Sequence, residues 1–310
     1  MNNPSSASTW AAQFRAPFLL LAVVLVLIGL AFAVKYPGPD GFSLLRAVLL
    51  MIGVVSAHAS VNLFNEYSDF RTKIDFHTHR NPFSGGSGML TEGRTTPRAV
   101  LTAAIVMLAI GLAIGIYFII VSHWILLALI ALGAFATVFY SSLLARIMLG
   151  ELFAGLTLGT FVVLGTYIAM TATPGMDWGG LLPREVWVLS ISPGILTALL
   201  LLLNEFPDAE ADIKGGRRHL VIVFGIRGGA IIYIAGLIAT YAIIFFAPLA
   251  EISSYWTWIA LATIPIASRA SDTAWKHGGE VDLIIPAMGQ NVIVVLATDL
   301  LIALSVFVSA

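Results

Sequence analysis

The sequence predicts an all-α integral membrane protein of about nine transmembrane helices around a central cavity, with a polar cap on the cytoplasmic side. Apolar residues make up 59% of the 310 residues and charged residues only 11%, whereas a soluble domain carries roughly a quarter charged residues. Many apolar stretches have about 20 residues, the length that crosses a bilayer. The charged residues gather between these stretches and mainly on one side.

The apolar stretches run through the whole chain, and we expect residues 1–310 to form a single transmembrane domain. The first stretch, with Ala31-Phe32-Ala33 near its end, resembles a signal peptide and its cleavage site. A multi-span protein needs no cleaved signal, so we expect this segment to remain as the first helix. A tight turn near Ser122 and His123 must separate the third stretch from the fourth. The stretches lie at 17–34, 44–64, 97–121, 123–144, 149–172, 186–206, 229–248, 255–268 and 283–308.

Basic residues indicate the orientation of the predicted helices. If the N-terminus lies in the cytoplasm and the spans alternate, all but three of the 16 Lys and Arg residues fall on the cytoplasmic side. The three on the other side are Lys35, Arg46 and Arg184. Such a split follows the positive-inside rule. We therefore predict a protein of the cell (inner) membrane whose N-terminus and polar loops face the cytoplasm.

Charge and cysteine content exclude several classes of function. The net charge of −1 argues against general binding of nucleic acid. The chain has no cysteine, which excludes disulfides, iron–sulfur clusters and thiol catalysis. At this stage the expected partner is the lipid bilayer, with no nucleic acid, and the sequence leaves the oligomeric state open.

One polar motif occurs twice, at the ends of spans 2 and 6. Residues 65–69 and residues 204–208 both read Asn-Glu-aromatic-x-Asp. Each motif is followed by a further aspartate, Asp75 in the first case and Asp212 in the second, and then by a basic, glycine-rich stretch. Both motifs follow even-numbered spans, so we expect both to face the cytoplasm.

The spacing within the motifs favours a metal site. Residues four apart share one face of a helix, so Asn65 and Asp69 point the same way. Asn204, Asp208 and Asp212 also share a face if the sixth helix continues. Carboxylate and amide oxygens suit Mg²⁺, which takes substrate phosphates as further ligands. Two such clusters facing each other could hold Mg²⁺ and a diphosphate, although a single cluster could equally be solvated charge at a helix end.

These motifs and the nine spans resemble the UbiA superfamily of intramembrane prenyltransferases over nearly the whole chain. Residues 14–17 (Phe-Arg-Ala-Pro) are similar to the family's N-terminal Arg at the entry of helix 1. Residues 140–151 are similar to the short loop between spans 4 and 5, and residues 212–217 to the family's Asp followed by a Lys/Arg-Gly-Arg segment. Members transfer an isoprenoid from its diphosphate to an aromatic or other acceptor.

Spacing and resemblance together give the expected site and its cofactor, Mg²⁺. The expected metal ligands are Asn65, Asp69, Asn204, Asp208 and Asp212. The expected diphosphate-binding residues are Arg15, Lys73, Arg146, Lys214 and Arg217. Asn62 and Tyr140 are expected to line the substrate cavity, and the expected catalytic carboxylates are Asp69, Asp75, Asp208 and Asp212. Ionisation of the prenyl diphosphate would give an allylic cation in an apolar chamber, and Asp75 or Asp212 would take the acceptor's proton.

Two positions separate the branches of this superfamily. The branch acting on 4-hydroxybenzoate has a third acid four residues after the first Asp, where this chain has Lys73. Asp75, six residues after Asp69 and followed by Pro82 and several glycines, is more similar to the branch that prenylates 1,4-dihydroxy-2-naphthoate on the way to menaquinone. We expect the naphthoate as acceptor, with 4-hydroxybenzoate as the alternative.

Two other classes of function are compatible with repeated polar motifs in a membrane protein. A cation-coupled transporter also has repeats and carboxylates, but transporter sites tend to lie near the bilayer midplane on broken helices. Here the motifs lie at span ends, which favours the enzyme. A non-catalytic relative regulated by a partner is disfavoured because both motifs are intact.

Overall fold

Nine apolar helical segments make up most of residues 6–310, which are the residues that the computed structural model describes. In chain order they are α1 (Leu20–Lys35), α2 (Leu44–Thr72), α3 (Pro97–Val121), α4 (Leu126–Phe139), α5 (Gly150–Thr171), α6 (Arg184–Lys214), α7 (Leu220–Leu249), α8 (255–277) and α9 (Val281–Val308). A short helix, Ser6–Gln13, and a 3-10 turn, Ala16–Leu19, precede α1. No strand occurs in this part of the chain.

Seven of these segments are long and apolar enough to cross a membrane. The other two are α4, with 14 residues, and α8, which begins as the 3-10 helix Tyr255–Thr263 and continues as the α-helix Ile264–His277. At 1.5 Å per residue, α4 is about 21 Å long and is shorter than the hydrocarbon core. The predicted all-α membrane fold is thus confirmed, and the count of nine spans is approximate.

Helices α2 and α6 extend beyond the stretches that hydropathy marks. The apolar stretches end at residues 64 and 206, but the helices continue to Thr72 and Lys214. The polar motifs therefore lie on the last turns of two long helices rather than in loops. Pro207 lies inside α6 without ending it. Because the helix continues past Pro207, Asn204, Asp208 and Asp212 share one of its faces.

Helix α6 is held closely against α5 by small residues. The middle of α5, Ala154–Thr160, is a π-helix. A Cβ atom added at Gly155 would lie 2.5 Å from the carbonyl oxygen of Gly194, and one added at Gly159 would lie 2.6 Å from the Gly194 Cα. Small residues spaced in this way let the backbones of membrane helices approach each other. This contact fixes α6, and with it the second polar motif, relative to α5.

The ends of α2 and α6 meet at one end of the bundle. Helix α2 ends because Lys73 takes a left-handed conformation, with φ of 63°. The 3-10 turn Ile74–Phe76 follows and carries Asp75, which leaves the α2 axis as the sequence predicts. The glycine-rich loop 84–88 then returns over the end of α2. The predicted turn at Ser122 lies at the other end of the bundle. It is held by a hydrogen bond that the Ser122 hydroxyl donates to the carbonyl of Ala169 at 2.8 Å.

Candidate active site

The two polar motifs line one cavity. Asn65 and Asp69 reach it from α2, and Asn204, Asp208 and Asp212 reach it from α6. Asp69 and Asp212 are buried, with 6% and 1% of their surface exposed. All five predicted metal ligands are therefore brought together, on two helices that approach from different sides. We call this cavity the polar pocket; its other lining residues include Arg15, Asp75, Tyr140, Glu205 and Arg217.

Arg217 joins the two motifs across the polar pocket. Its guanidinium donates to the Asp212 carboxylate at 3.0 Å and to the Asn65 side-chain oxygen at 3.1 Å. It also makes an ion pair with Asp69. Ion pairs of this kind, with several hydrogen bonds to one guanidinium, give fixed geometry as well as attraction. Arg217 thus holds the last turns of α2 and α6 together.

Among the oxygens of α6 that lack any hydrogen bond in the polar pocket, two belong to predicted metal ligands. These are Oδ1 of Asn204 and Oδ1 of Asp208, both shielded from solvent. A buried oxygen without a partner is unfavourable and points to a missing ligand. One amide oxygen and one carboxylate oxygen, four residues apart, are hard donors that suit Mg²⁺. The residues of this pocket therefore fit the expected metal.

Asp75 closes the polar pocket from the side of the glycine-rich loop. It is 7% exposed, and a Cβ atom added at Gly86 would lie 2.9 Å from its Oδ1. Gly86 has φ of 69°, a conformation that glycine adopts without strain. Burial, with repulsion from Asp69 and Glu66, raises the pKa of Asp75 to about 8. Asp75 is therefore a stronger base than an ordinary aspartate.

Glu66, the second residue of the first motif, faces the loop and fastens it. Its carboxylate accepts hydrogen bonds from the backbone N–H of Ser87 at 2.7 Å and from the Ser87 hydroxyl at 2.6 Å. It also accepts one from the Gln13 side-chain amide at 3.0 Å, and Gln13 accepts in turn from the Thr95 hydroxyl at 2.6 Å. The sequence does not reveal this network, because Gln13 and Ser87 lie far from Glu66 in the chain.

The predicted basic residues divide into two groups. Arg15 and Arg217 line the polar pocket, and Arg15 also donates to the carbonyl of Phe83 at 2.9 Å. Lys73 and Lys214 are exposed and do not line it. Arg146 is exposed and donates to the carbonyl of Gly215 at 3.3 Å. Lys73, Arg146 and Lys214 therefore lie at the rim of the site rather than inside it.

An apolar cavity lies behind the polar pocket. It lies between α2, α3, α4 and α5 and is partly open to the outside. Five of its lining residues are glycine, which has no side chain to project into the cavity. A smaller cavity lies between the two and shares Asn65, Tyr140 and Asn204 with the polar pocket, and His58 and Thr157 with the apolar cavity. The three therefore adjoin one another in a series.

The two residues expected to line the substrate cavity both lie along this series. Tyr140 lines the polar pocket and the intermediate cavity, whereas Asn62 lines the intermediate cavity. The Asn62 amide donates to the carbonyl of Phe14 at 3.0 Å. This contact ties the segment before α1 to α2 at the point where polar lining gives way to apolar lining.

The helices are long enough to cross a membrane, and they carry a polar pocket at their ends with an apolar cavity behind it. This architecture defines an integral membrane protein with a site suited to an amphipathic ligand. A model of the UbiA prenyltransferase family matches residues 22–276. The chain belongs to this family, which confirms the resemblance seen in the sequence and the expected class, a membrane prenyltransferase. Family membership also decides against the transporter alternative.

Three similar relatives carry names that refer to a naphthoate or a naphthoquinone. The 1,4-dihydroxy-2-naphthoate octaprenyltransferase of Bacillus subtilis is 28% identical over 82% of this chain and 78% of the relative. A protein of the same name from Mycobacterium tuberculosis is 26% identical over 83% of this chain and 84% of the relative. The 2-carboxy-1,4-naphthoquinone phytyltransferase of Synechocystis is 24% identical over 85% of this chain and 81% of the relative.

Solved structures share the fold at low sequence identity. The apo UbiA homolog from Aeropyrum pernix has a TM-score of 0.66 at 20% identity, over 90% of this chain and 98% of that one. A UbiA homolog from Archaeoglobus fulgidus bound to DMAPP and Mg²⁺ has a TM-score of 0.52 at 15% identity, over 97% of this chain and all of that one. These similarities establish the arrangement of helices.

The network around Glu66 leads to a prediction about the glycine-rich loop. Replacing Glu66 by alanine leaves three donors without their acceptor, and each loss of this kind costs about 1–3 kcal/mol. We expect faster amide hydrogen exchange at residues 84–89 and a lower thermal unfolding temperature. Glu92→Ala is the matched control, because Glu92 lies in the same region and pairs with Arg80 and Arg94 near the surface, where ion pairs contribute little. Equal exchange in the two variants would contradict the role of Glu66.

Proposed function

We propose that this protein transfers a prenyl group from a prenyl diphosphate to 1,4-dihydroxy-2-naphthoate, a step of menaquinone biosynthesis. The observation that carries the proposal is the series of cavities: a polar pocket with paired Asn and Asp side chains opens toward an apolar cavity. An anionic head and a long apolar tail require these two environments side by side. The naphthoate is supported by the names of the relatives and by Asp75, which lies six residues after Asp69.

The diphosphate end of the substrate would occupy the polar pocket. The residues that would hold Mg²⁺ are Asn65, Asp69, Asn204, Asp208 and Asp212. When bound, Mg²⁺ would neutralise the diphosphate and favour its departure, and the Archaeoglobus fulgidus homolog is described as bound to DMAPP and Mg²⁺. Arg15 and Arg217 would share the remaining phosphate charge from inside the pocket. Lys73, Arg146 and Lys214, at the rim, would attract the anionic substrate before it enters.

The prenyl tail would lie in the apolar cavity. Its lining is mostly apolar, with Phe118 and Phe161 among the larger side chains. Breaking the bond between the prenyl carbon and the diphosphate oxygen leaves an allylic cation, while the bonding electrons leave with the diphosphate. An aromatic face stabilises a cation, and Tyr140 lies between the polar pocket and the intermediate cavity. An apolar chamber also keeps out the water that would capture the cation.

The acceptor would approach from the side of Asp75. Its electron-rich ring attacks the allylic carbon, and a new carbon–carbon bond forms. Asp75 would take the proton that the acceptor loses, and its raised pKa of about 8 suits a general base near neutral pH. Asp212 is the other carboxylate considered for this step, but its contacts with Arg217 and its near-complete burial make it less available.

We also propose that residues 1–310 form a single domain with its polar pocket facing the cytoplasm of the cell (inner) membrane. The proposal of a single domain is supported by a hydrophobic core that includes both Leu21 from α1 and Val306 from α9. Residues 1–5 lie outside the described residues. The cytoplasmic orientation is supported by the unequal distribution of Lys and Arg. Arg71, Lys73 and Arg80 lie at the end of the bundle that carries the polar pocket.

Both halves of the metal site should be needed for activity. We expect Asp69→Asn and Asp208→Asn each to lower turnover by at least about 100-fold, the loss typical of removing one electrostatic stabiliser of a transition state. The measurement is release of diphosphate from a prenyl diphosphate with Mg²⁺ and the naphthoate. Asp272→Asn is the control, since Asp272 is exposed and pairs with Lys276. Near-normal turnover in either pocket variant, with the control also unchanged, would refute the two-cluster site.

Asp75 and the nature of the acceptor are tested together. We expect Asp75→Ala to reduce prenylation of the naphthoate while prenyl diphosphate still binds, because Asp75 acts on the acceptor. Product formation and diphosphate affinity are measured separately, with 4-hydroxybenzoate as a second acceptor. Loss of diphosphate binding would assign Asp75 to the metal site. Activity of the unchanged protein on 4-hydroxybenzoate alone would overturn the choice of acceptor but not the prenyltransferase class.

The orientation is tested with single cysteines, since the natural chain has none. In intact cells, an impermeant thiol reagent should label Arg184→Cys and leave Lys73→Cys unlabelled; both positions are exposed. After the membrane is opened, Lys73→Cys should react as well. Labelling of Lys73→Cys in intact cells would place the polar pocket on the outer side.

A further inference from the structure

A second cluster of potential metal ligands adjoins the polar pocket. Glu151 lies in the first turn of α5, Glu205 lies in α6, and His219 directly precedes α7. One ligand atom from each lies within 4.8 Å of the others. All three side chains are buried, with exposures of 3%, 7% and 1%. Three helices that are separate in sequence thus bring two carboxylates and one imidazole to a single point.

The atoms that face this point lack hydrogen bonds. They are Oε2 of Glu151, Oε2 of Glu205 and Nδ1 of His219. The other oxygen of Glu151 accepts from the backbone N–H of Leu220 at 2.7 Å, which fixes that carboxylate in place. Burying a carboxylate without a hydrogen bond or counter-charge is costly. The cluster therefore requires either a proton or a cation.

The contacts of His219 favour a cation. Its Nδ1 lies 3.5 Å from Glu205 Oε2, and its Nε2 lies 3.2 Å from Asp212 Oδ2. A histidine that binds a metal through one nitrogen usually directs the other toward a carboxylate, which orients the ring. His219 has this arrangement, with Asp212 as the orienting carboxylate.

We propose that Glu151, Glu205 and His219 bind a Zn²⁺ ion that ties α5, α6 and α7 together next to the polar pocket. Imidazole nitrogen with two carboxylate oxygens suits Zn²⁺, whereas Mg²⁺ prefers oxygen alone. A water molecule would complete four-coordination. Through His219 the ion would hold Asp212 in its position. The competing arrangement is a proton shared between Glu151 and Glu205, which are close enough for a hydrogen bond.

The test is the zinc content of purified protein. The full chain is incubated with one equivalent of Zn²⁺, dialysed against excess Mg²⁺ and analysed for metal. We expect about one zinc per chain in the natural protein and at least a tenfold loss in His219→Ala and in Glu151→Gln. Glu151→Gln preserves shape, so it remains informative if His219→Ala fails to fold. Asp69→Asn is the matched control, because it alters the polar pocket but none of the three proposed ligands, and it should retain the zinc.

Anomalous scattering at the zinc edge then locates the ion. A peak among Glu151, Glu205 and His219 is the expected result. Absence of zinc from the natural protein, equal zinc in Glu151→Gln, or a peak confined to the polar pocket would overturn the proposal and favour the shared proton.

Discussion

The structure depends on how negative charge is balanced where α2 and α6 end. Five carboxylates line the polar pocket, from Asp69, Asp75, Asp208, Asp212 and Glu205, and among the described residues only two guanidinium groups face them, from Arg15 and Arg217. Arg217 neutralises part of this charge by bridging Asp69 and Asp212. The remaining carboxyl groups need either a proton or a further cation, because isolated charges are unfavourable where water is scarce. A pocket with this surplus is suited to metal ions, which in turn attract a diphosphate.

Several features of the fold serve to keep these groups in place. The close contact between Gly155, Gly159 and Gly194 sets the position of α6, and with it that of the second motif, against α5. On the other side, Glu66 fastens the glycine-rich loop through Ser87, and Arg15 fastens it through the carbonyl of Phe83. The polar pocket is thus enclosed by the loop on one side while the intermediate cavity opens toward apolar space.

The sequence predicted the parts of the site that follow from regular helix geometry. Asn65 and Asp69, four residues apart, reach the same pocket because α2 remains helical there, and the same holds for Asn204, Asp208 and Asp212. The position of Asp75 off the helix was also predictable from its spacing. Hydropathy did not predict that α2 and α6 continue to Thr72 and Lys214, because polar residues end an apolar stretch without ending a helix.

Other features depended on contacts between distant parts of the chain. Nothing in the spacing of Gln13, Glu66 and Ser87 indicates that they meet. The backbone conformation that turns Lys73 outward is set by the end of α2. Likewise, residues 146 and 214 belong to basic stretches that adjoin the motifs in sequence, yet their side chains are exposed at the rim. Charge near a motif therefore predicted the right end of the molecule but not which basic groups enter the pocket.

The central claim is that the two motifs form one site for a metal-bound diphosphate, and a ligand-bound structure tests it most directly. The protein would be crystallised with Mn²⁺ in place of Mg²⁺ and with a thio analogue of a prenyl diphosphate that reacts slowly. We predict anomalous density for Mn²⁺ between Asn65 and Asp69 on one side and Asn204 and Asp208 on the other, with the prenyl tail in the apolar cavity. Diphosphate bound outside the polar pocket, or manganese held by only one of the two motifs, would contradict this account.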